Sequence, residues 1–351
     1  MTESDGAAPV NVAVVGYGLA GKTFHAPLIT ATPRLRLHTV VSSDAAKVRA
    51  DYADIRVAQD YAEVLADDRI DLVVIATPDP LHAPQATAAL DAGKHVVVDK
   101  PFATNLADAE ALVAQAKARG RLVSVFQNRR WDSDFLTLSK LIADGVLGEI
   151  IQFESHFDRF RPVWVDRWRE RPGAGIWNDL GPHLVDQALQ VFGPPDAVYA
   201  DFAQQKSGAP VIDYFHVLLR YARTRVILHA SQMTPAHSLR FAVHGTGGSF
   251  VKQGLDAQEA ALRAGVRPGG ADWGLDPDPG VLTRVLAGGG VRTEAFDTVP
   301  GNYPAYYAAL RDAILSGGPP PVTPQQALDV VRVLDLGVRS AAARRELAYG
   351  D

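Results

Sequence analysis

Residues Val10-Asn11-Val12-Ala13-Val14-Val15 run directly into Gly16-Tyr17-Gly18-Leu19-Ala20-Gly21, and no other feature restricts the fold of this chain so tightly. A short apolar run, a glycine-rich turn and then helix-forming residues read as strand, turn and helix. The glycines permit a tight turn, close approach of a pyrophosphate and close helix–strand packing. The helix N-terminus adds N–H donors and partial positive charge. The same residues also match a phosphate loop, Gly16-x4-Gly21-Lys22-Thr23, with Asp99 as a candidate metal-binding aspartate after the apolar run His95–Val98. Three points favour the dinucleotide reading. Gly18 has a role only there, Pro27 interrupts the long helix a phosphate loop needs, and Asp99 is followed by Lys100-Pro101.

The pattern after the loop extends this unit. Apolar runs at Val10–Gly16, Leu35–Ser42, Asp71–Thr77, His95–Asp99 and Leu122–Gln127 are continuous rather than alternating, as in a parallel sheet buried on both faces. Helical stretches at Asp44–Tyr52, Tyr61–Ala66, His82–Ala92 and Leu106–Arg119 separate them. The last has Thr104 or Asn105 as N-cap and Gly120 past its end. Residues 1–9 read as a disordered start, and 10–128 as a doubly wound α/β domain.

From residue 129 to 351 the pattern changes. After a helix at Asp134–Ala143, strand-like runs alternate with period two at Glu149–Phe157, Ala197–Gln205, Ile212–Tyr221, Thr224–Gln232 and Leu239–Gly245. Short turns between successive runs predict an antiparallel meander. A helix is expected at Pro182–Phe192, and others at Pro304–Leu315 and Pro324–Ala343. Residues 264–302, rich in Gly, Pro and Asp, read as a long loop.

Composition excludes several functions. The 351 residues suffice for about two domains. A net charge of −5 argues against nucleic-acid or anionic-membrane partners. There is no cysteine, so disulfides, iron–sulfur clusters and thiolate chemistry are excluded. The apolar runs are too short to span a bilayer and no basic-then-apolar leader precedes Val10, so a cytoplasmic location is expected.

Further segments carry candidate chemistry. About 20 residues past a dinucleotide loop, an acidic residue usually reads the ribose 2′-hydroxyl. Here Ser42 and Ser43 stand there, followed by Asp44 and Lys47, which favours NADP over NAD; Asp44 also suits a helix N-cap. Thr77-Pro78-Asp79-Pro80-Leu81-His82 and Asp99-Lys100-Pro101 follow strand ends, where ligands of open α/β sheets bind. In Gly173–His183, Asp179 and His183 are four apart, on one helix face. A carboxylate beside an imidazole fixes its tautomer and suits acid–base work. Taken alone, Asp179 reads better as an N-cap and His183 as a surface residue. No metal site is expected: there is no third ligand at matching spacing, and Asp158, Asp166 and His156 lie on a different predicted strand and loop.

Taken together, the GYGLAG loop, TPDPLH at 77–82, DKP at 99–101 and DLGPH at 179–183 resemble the glucose–fructose oxidoreductase/inositol dehydrogenase/rhizopine-catabolism (Gfo/Idh/MocA) family. GKTFHAPLI at 21–29, QNRRWDSDF at 127–135 and GTGGSFVKQGLDAQE at 245–259 resemble its NADP-dependent scyllo-inositol dehydrogenase-like branch. The resemblance implies an N-terminal Rossmann domain and a C-terminal α+β domain with an open, mostly antiparallel sheet. The last helix, at about 324–343, is expected to pack back on the Rossmann domain. The implied activity is NAD(P)-dependent hydride transfer on a sugar or cyclitol, in a homodimer or homotetramer. The implied catalytic set is Lys100, Asp179 and His183. Gly16, Gly18, Leu19, Gly21, Ser42, Ser43, Thr77, Pro78, Asp79, His82, Lys100 and Pro101 would bind cofactor. Asn128 and Trp168, with Asp179 and His183, would bind substrate. Asp99 departs from the glutamate usual in the family. The rival reading is a non-catalytic, dinucleotide-binding redox sensor, which would not need the Lys100/Asp179/His183 set.

Overall fold

The computed structural model describes residues 8–165, 175–236 and 238–351. Trp168 and Asp166 lie outside the described residues. In chain order the elements begin with β1 (Val10–Val15), α1 (Ala26–Ala31), β2 (Leu35–Val41), α2 (Ala45–Asp51), β3 (Arg56–Ala58) and α3 (Tyr61–Leu65). Then come β4 (Leu72–Ile75), α4 (His82–Asp91), β5 (His95–Val98), α5 (Leu106–Arg119) and β6 (Val123–Val125). The second half holds α6 (Ser133–Ala143), β7 (Ile150–His156), α7 (Ile176–Phe192), β8 (Ala197–Ala203), β9 (Tyr214–Arg220), β10 (Arg225–Ser231), β11 (Leu239–Gly245) and β12 (Gly248–Gln253). The last elements are α8 (Gln258–Arg263), β13 (Gly280–Val285), β14 (Val291–Phe296), α9 (Pro304–Ser316), α10 (Pro324–Ala343) and β15 (Leu347–Ala348).

The chain divides into two compact units. The first comprises residues 1–128, 258–273 and 302–328; the second comprises 129–257, 274–301 and 329–351. The sequence reading placed everything after 128 in one domain. Instead α8 and α9 belong to the first unit, and α10 is shared: its first residues fall in the first unit and its remainder in the second. Val330, Val333 and Leu336 of α10 join the second unit's hydrophobic core.

In the first unit a six-stranded sheet has the order β3-β2-β1-β4-β5-β6, parallel throughout. This is the dinucleotide-fold order, with its reversal at β1/β4. Every residue of β4 and the last three of β5 are buried, which accounts for their unbroken Val/Ile/Leu runs. Asn105 caps α5 by accepting from the Asp108 N–H (2.9 Å), and Gly120 ends it in the left-handed region.

The second unit holds a nine-stranded sheet, β14-β13-β12-β11-β7-β10-β9-β8-β15. Only the β7–β10 pair is parallel. Helix α7 packs on β9 and β10, and its apolar side joins Phe153, Phe215, Val217, Leu228 and Phe241 in the core. The region expected to be a loop, 264–302, contains the β13–β14 hairpin. Its strand β14 has no fully buried residue, so apolar alternation is weak there. Helix α7 also starts six residues before the expected Pro182, which therefore lies inside it.

Candidate active site

The turn after β1 is built by glycines with different duties. Gly16 has φ +96°, and a Cβ there would lie 2.6 Å from the Ala76 carbonyl oxygen. At Gly21 a Cβ would collide with the Gly16 carbonyl oxygen. Both are demanded by the chain's own packing. Gly18 is different: no protein atom lies within 4 Å of where its Cβ would be. Its glycine answers no need of the protein, and leaves the loop surface bare as close approach of a pyrophosphate requires. Lys22, the lysine of the phosphate-loop reading, pairs its ammonium with Asp51 at 2.8 Å. Asp51 also accepts from the Tyr17 hydroxyl (2.9 Å), and burial together with this carboxylate raises the Tyr17 pKa. Leu19 is exposed at the rim of the turn.

Beyond β2, the Ser42 hydroxyl accepts from the Asp44 N–H (3.1 Å), and the Asp44 carboxylate caps α2 through the Lys47 N–H (2.9 Å). Asp44 is thus a helix cap. Ser43 is exposed, and Lys47 donates from Nζ to the Tyr17 carbonyl (2.9 Å) across the mouth of the glycine turn. No carboxylate stands at position 42 or 43 to repel a 2′-phosphate.

Beyond β4 and β5 the two strand ends are tied together by His82. Its ring nitrogens contact the carbonyls of Pro101 (2.7 Å) and Thr77 (2.8 Å), and the side chain is buried. His82 was expected among the cofactor-binding residues, and the structure shows what its ring nitrogens do in the chain itself. His82 braces the segments that carry Thr77 and Lys100, and both ring nitrogens are committed to that brace. The Thr77 hydroxyl donates to Gln85 (2.7 Å), while Pro78 is exposed and Asp79 half-buried at the strand end. Lys100 is half-buried, and its N–H donates to the Asp99 carboxylate (2.9 Å). Burial works against the Asp99 charge, but His25, Lys100 and His82 outweigh it and hold its carboxyl below the usual range. Lys100 and Pro101 are joined by a cis peptide, and Asn128 is buried just past β6.

In the second unit, α7 carries the other candidates. The Asp179 N–H donates to the Gly175 carbonyl (3.1 Å), and Gly175, at φ +107°, is the N-cap. Asp179 is therefore a residue of the first helical turn, and the N-cap reading is wrong. The surface reading of His183 is wrong too, since it is only 6% exposed. Pro182 has no N–H to give to the Asn178 carbonyl, so the backbone around the pair lacks one helical bond. Trp177 is core, with its indole N–H donating to the Leu334 carbonyl (3.1 Å).

Helix α7 continues as a polar stripe, Asp179, His183, then Asp186 and Gln187, at helical spacing. Its lower end is fixed in the protein interior. Arg130 makes a bidentate pair with Asp186 (2.7 and 2.8 Å). Gln187 donates to the Arg129 carbonyl (2.7 Å) and accepts from Arg240 (2.5 Å), which also donates to Ser155 (2.7 Å). Arg240 stacks 4.0 Å from the Phe241 ring centre. Beside it lie the buried carboxylates of Asp132, Asp134 and Asp256. Burial, incompletely offset by Arg129 and aggravated by Asp256 and Asp134, pushes Asp132 well above the carboxylate range. Sequence reasoning missed this scaffold. The one available signal was that Asp186 and Gln187 extend the Asp179/His183 face by a further turn.

Comparison with known proteins agrees with this architecture. Residues 10–127 match the NAD-binding Rossmann domain of an oxidoreductase family, and 139–348 match its C-terminal α/β domain. The uncharacterized oxidoreductase YdgJ of Escherichia coli is 54% identical, covering 96% of this chain and 98% of its own. The NADP(+)-dependent scyllo-inositol 2-dehydrogenase IolW of Bacillus subtilis is 37% identical, covering 96% and 95%. The solved structure of the oxidoreductase YPO2259 of Yersinia pestis superposes with a TM-score of 0.94 at 49% identity, covering 97% of each chain.

Proposed function

Since the chain belongs to the Gfo/Idh/MocA oxidoreductase family, we propose that it is an NADP-preferring dehydrogenase or reductase acting on a CH–OH group of a sugar or cyclitol. The observation that carries this reading is the pair on α7. Asp179 lies in the first turn and is not the N-cap residue, His183 is buried, and the two are one turn apart on a helix whose next polar turn is anchored by Arg130 and Arg240. A buried imidazole with a carboxylate one turn away suits proton transfer.

The nicotinamide ring, when bound, supplies the hydride acceptor or donor. The glycine turn, with Gly16, Gly18, Leu19 and Gly21, holds the pyrophosphate. Ser42 and Ser43 take the ribose end and tolerate a 2′-phosphate. Thr77, Pro78, Asp79 and Pro101 shape the strand-end floor on which the cofactor lies. His183 takes the proton of the substrate hydroxyl, and Asp179 orients the imidazole and favours its charged form. Lys100 hydrogen-bonds the reacting oxygen and stabilises negative charge on it. Asn128 and Trp168 bind substrate. The small-molecule polyol chemistry is carried over from the scyllo-inositol 2-dehydrogenase IolW, 37% identical to this chain. Among the described residues no helix is long and apolar enough to cross a membrane.

The test is absorbance at 340 nm with a panel of polyols and both cofactors, on wild type and Lys100→Ala. Turnover with at least one polyol is expected, falling by roughly 10²–10⁴ in the variant. Cofactor binding without turnover on any polyol would favour the redox-sensor reading. Turnover unchanged in Lys100→Ala would remove that lysine from the mechanism.

A further inference from the structure

The nine-stranded sheet has a face covered by α7 and an opposite face, and the parallel pair β7–β10 concentrates imidazoles on the latter. The register sets His156 beside His229, and His229 beside His216 of β9. Pairing continues past the end of β7, with the Phe157 N–H donating to the His229 carbonyl (2.9 Å) and the Arg159 N–H to the Ser231 carbonyl (2.8 Å). Side chains alternate along an extended chain, so Phe157 turns inward and Asp158 returns to the side of His156. The Asp158 carboxylate is buried and fixed by the Ser231 N–H (2.8 Å).

Ligand atoms of His156, Asp158 and His229 all lie within 4.8 Å of one another. Asp158 Oδ2 is 3.6 Å from His156 Nδ1, and Asp158 Oδ1 is 3.4 Å from His229 Nε2. Both are long for a charge-assisted hydrogen bond, which runs to about 2.9 Å. They suit donors around a shared cation: bonds of about 2.1 Å at tetrahedral angles separate ligand atoms by roughly 3.4 Å. The second layer is also present. Glu154 Oε2 lies 3.1 Å from His156 Nε2, a carboxylate placed to hold that side of the ring and aim Nδ1 toward Asp158.

We propose that His156, Asp158 and His229 form a binding site for a divalent transition-metal ion of the zinc class, with Glu154 orienting His156. Two imidazoles and one carboxylate select such an ion over Mg²⁺ or Ca²⁺, which take all-oxygen sets. Three protein ligands leave a position for water. The ion would join β7 to β10 at the one parallel pairing of the sheet. The inference does not depend on the reaction assigned above, because none of these residues has a role in it.

The test uses full-length, tag-free protein stripped with chelator and titrated with Zn²⁺ by calorimetry and with Co²⁺ by visible absorption. One ion per chain is expected, with a d–d band on Co²⁺ addition and a higher unfolding temperature with Zn²⁺. His156→Gln and His229→Gln, each checked for native circular dichroism, should lose the stoichiometric binding. Glu154→Gln should retain it, weakened about 10–100-fold. Absence of stoichiometric binding by wild type, or binding unchanged in the His156→Gln/His229→Gln double variant, would overturn the proposal. In that case NMR should find His156 as an imidazolium shared between Glu154 and Asp158, undisturbed by Zn²⁺.

Discussion

His25 Nε2 lies 3.8 Å from Asp99 Oδ1, and on the other side of the ring Nδ1 shares a 2.6 Å hydrogen bond with the Tyr307 hydroxyl. His25 is fully buried, against Phe126 at 4.5 Å between ring centres. With the Tyr307 hydroxyl donating to Nδ1, the Nε2–H faces the carboxylate. The aspartate that precedes Lys100, shorter than the glutamate usual at this position, thus has a partner from the helical turn after the glycine loop.

Replacing His25 by Leu should lower stability at neutral pH by about 1–3 kcal/mol, since it leaves the half-buried Asp99 carboxylate without the imidazole that faces it. The pH dependence identifies the cause. The Asp99 carboxyl is depressed in the folded protein, so its contribution is present above the unfolded value of about 3.9 and disappears as pH falls through the folded value. Urea unfolding should therefore show the difference between wild type and variant narrowing below about pH 4. Tyr307→Phe should show no such narrowing; an equal pH response in both variants would rule Asp99 out as its source.

Gly16→Ala and Gly18→Ala should part company. The first strikes the Ala76 carbonyl at a positive φ and should destabilise the fold by more than about 1 kcal/mol. The second meets no protein atom, so thermal unfolding should be near normal while cofactor affinity, read by calorimetry, falls at least tenfold. Normal affinity in Gly18→Ala would mean that nothing approaches the loop there.

Cofactor choice rests on Ser42 and Ser43. Wild type should bind NADP more tightly than NAD, and Ser42→Asp should invert the order by placing a carboxylate against the 2′-phosphate. Tighter NAD binding by the wild-type protein would refute this reading.

Asp179→Asn should leave stability within about 0.5 kcal/mol, because Gly175 and not Asp179 caps α7. Activity should nevertheless be largely lost, as it should in His183→Ala. The double variant should be little worse than either, since groups that act as a unit give non-additive losses. Losses that multiply would show two independent residues.

Much of the first unit was legible because parallel strands buried on both faces leave unbroken apolar runs and their helices carry explicit caps such as Asn105 and Asp44. Strand β3, three residues with only Ala58 fully buried, leaves too short a run to read. The β13–β14 hairpin was hidden by its exposure: β14 shows no buried residue to set a period. Pro182 misled because proline is favoured in the first helical turn, yet α7 accepts it in its second. The glycine turn, Lys100, Asp179 and His183 stand out as local motifs. Arg130 with Asp186, and His25 with Tyr307, are distant in sequence, and only the fold reveals them.

Strand β7 precedes all its sheet partners in sequence, yet sits between β10 and β11. The meanders β8–β9–β10 and β11–β14 can each zip up from local hairpins, but each then offers a bare edge that only β7 fills. Those edges belong to consecutive strands, and pairing them directly would exclude β7, a register trap of the kind that slows non-local β topologies. Vectorial synthesis eases this problem. On the ribosome β7 emerges before either meander exists, so the growing sheet has its central strand waiting. Refolding of the full-length chain from denaturant lacks that order and should be slower and more prone to aggregation than folding during translation.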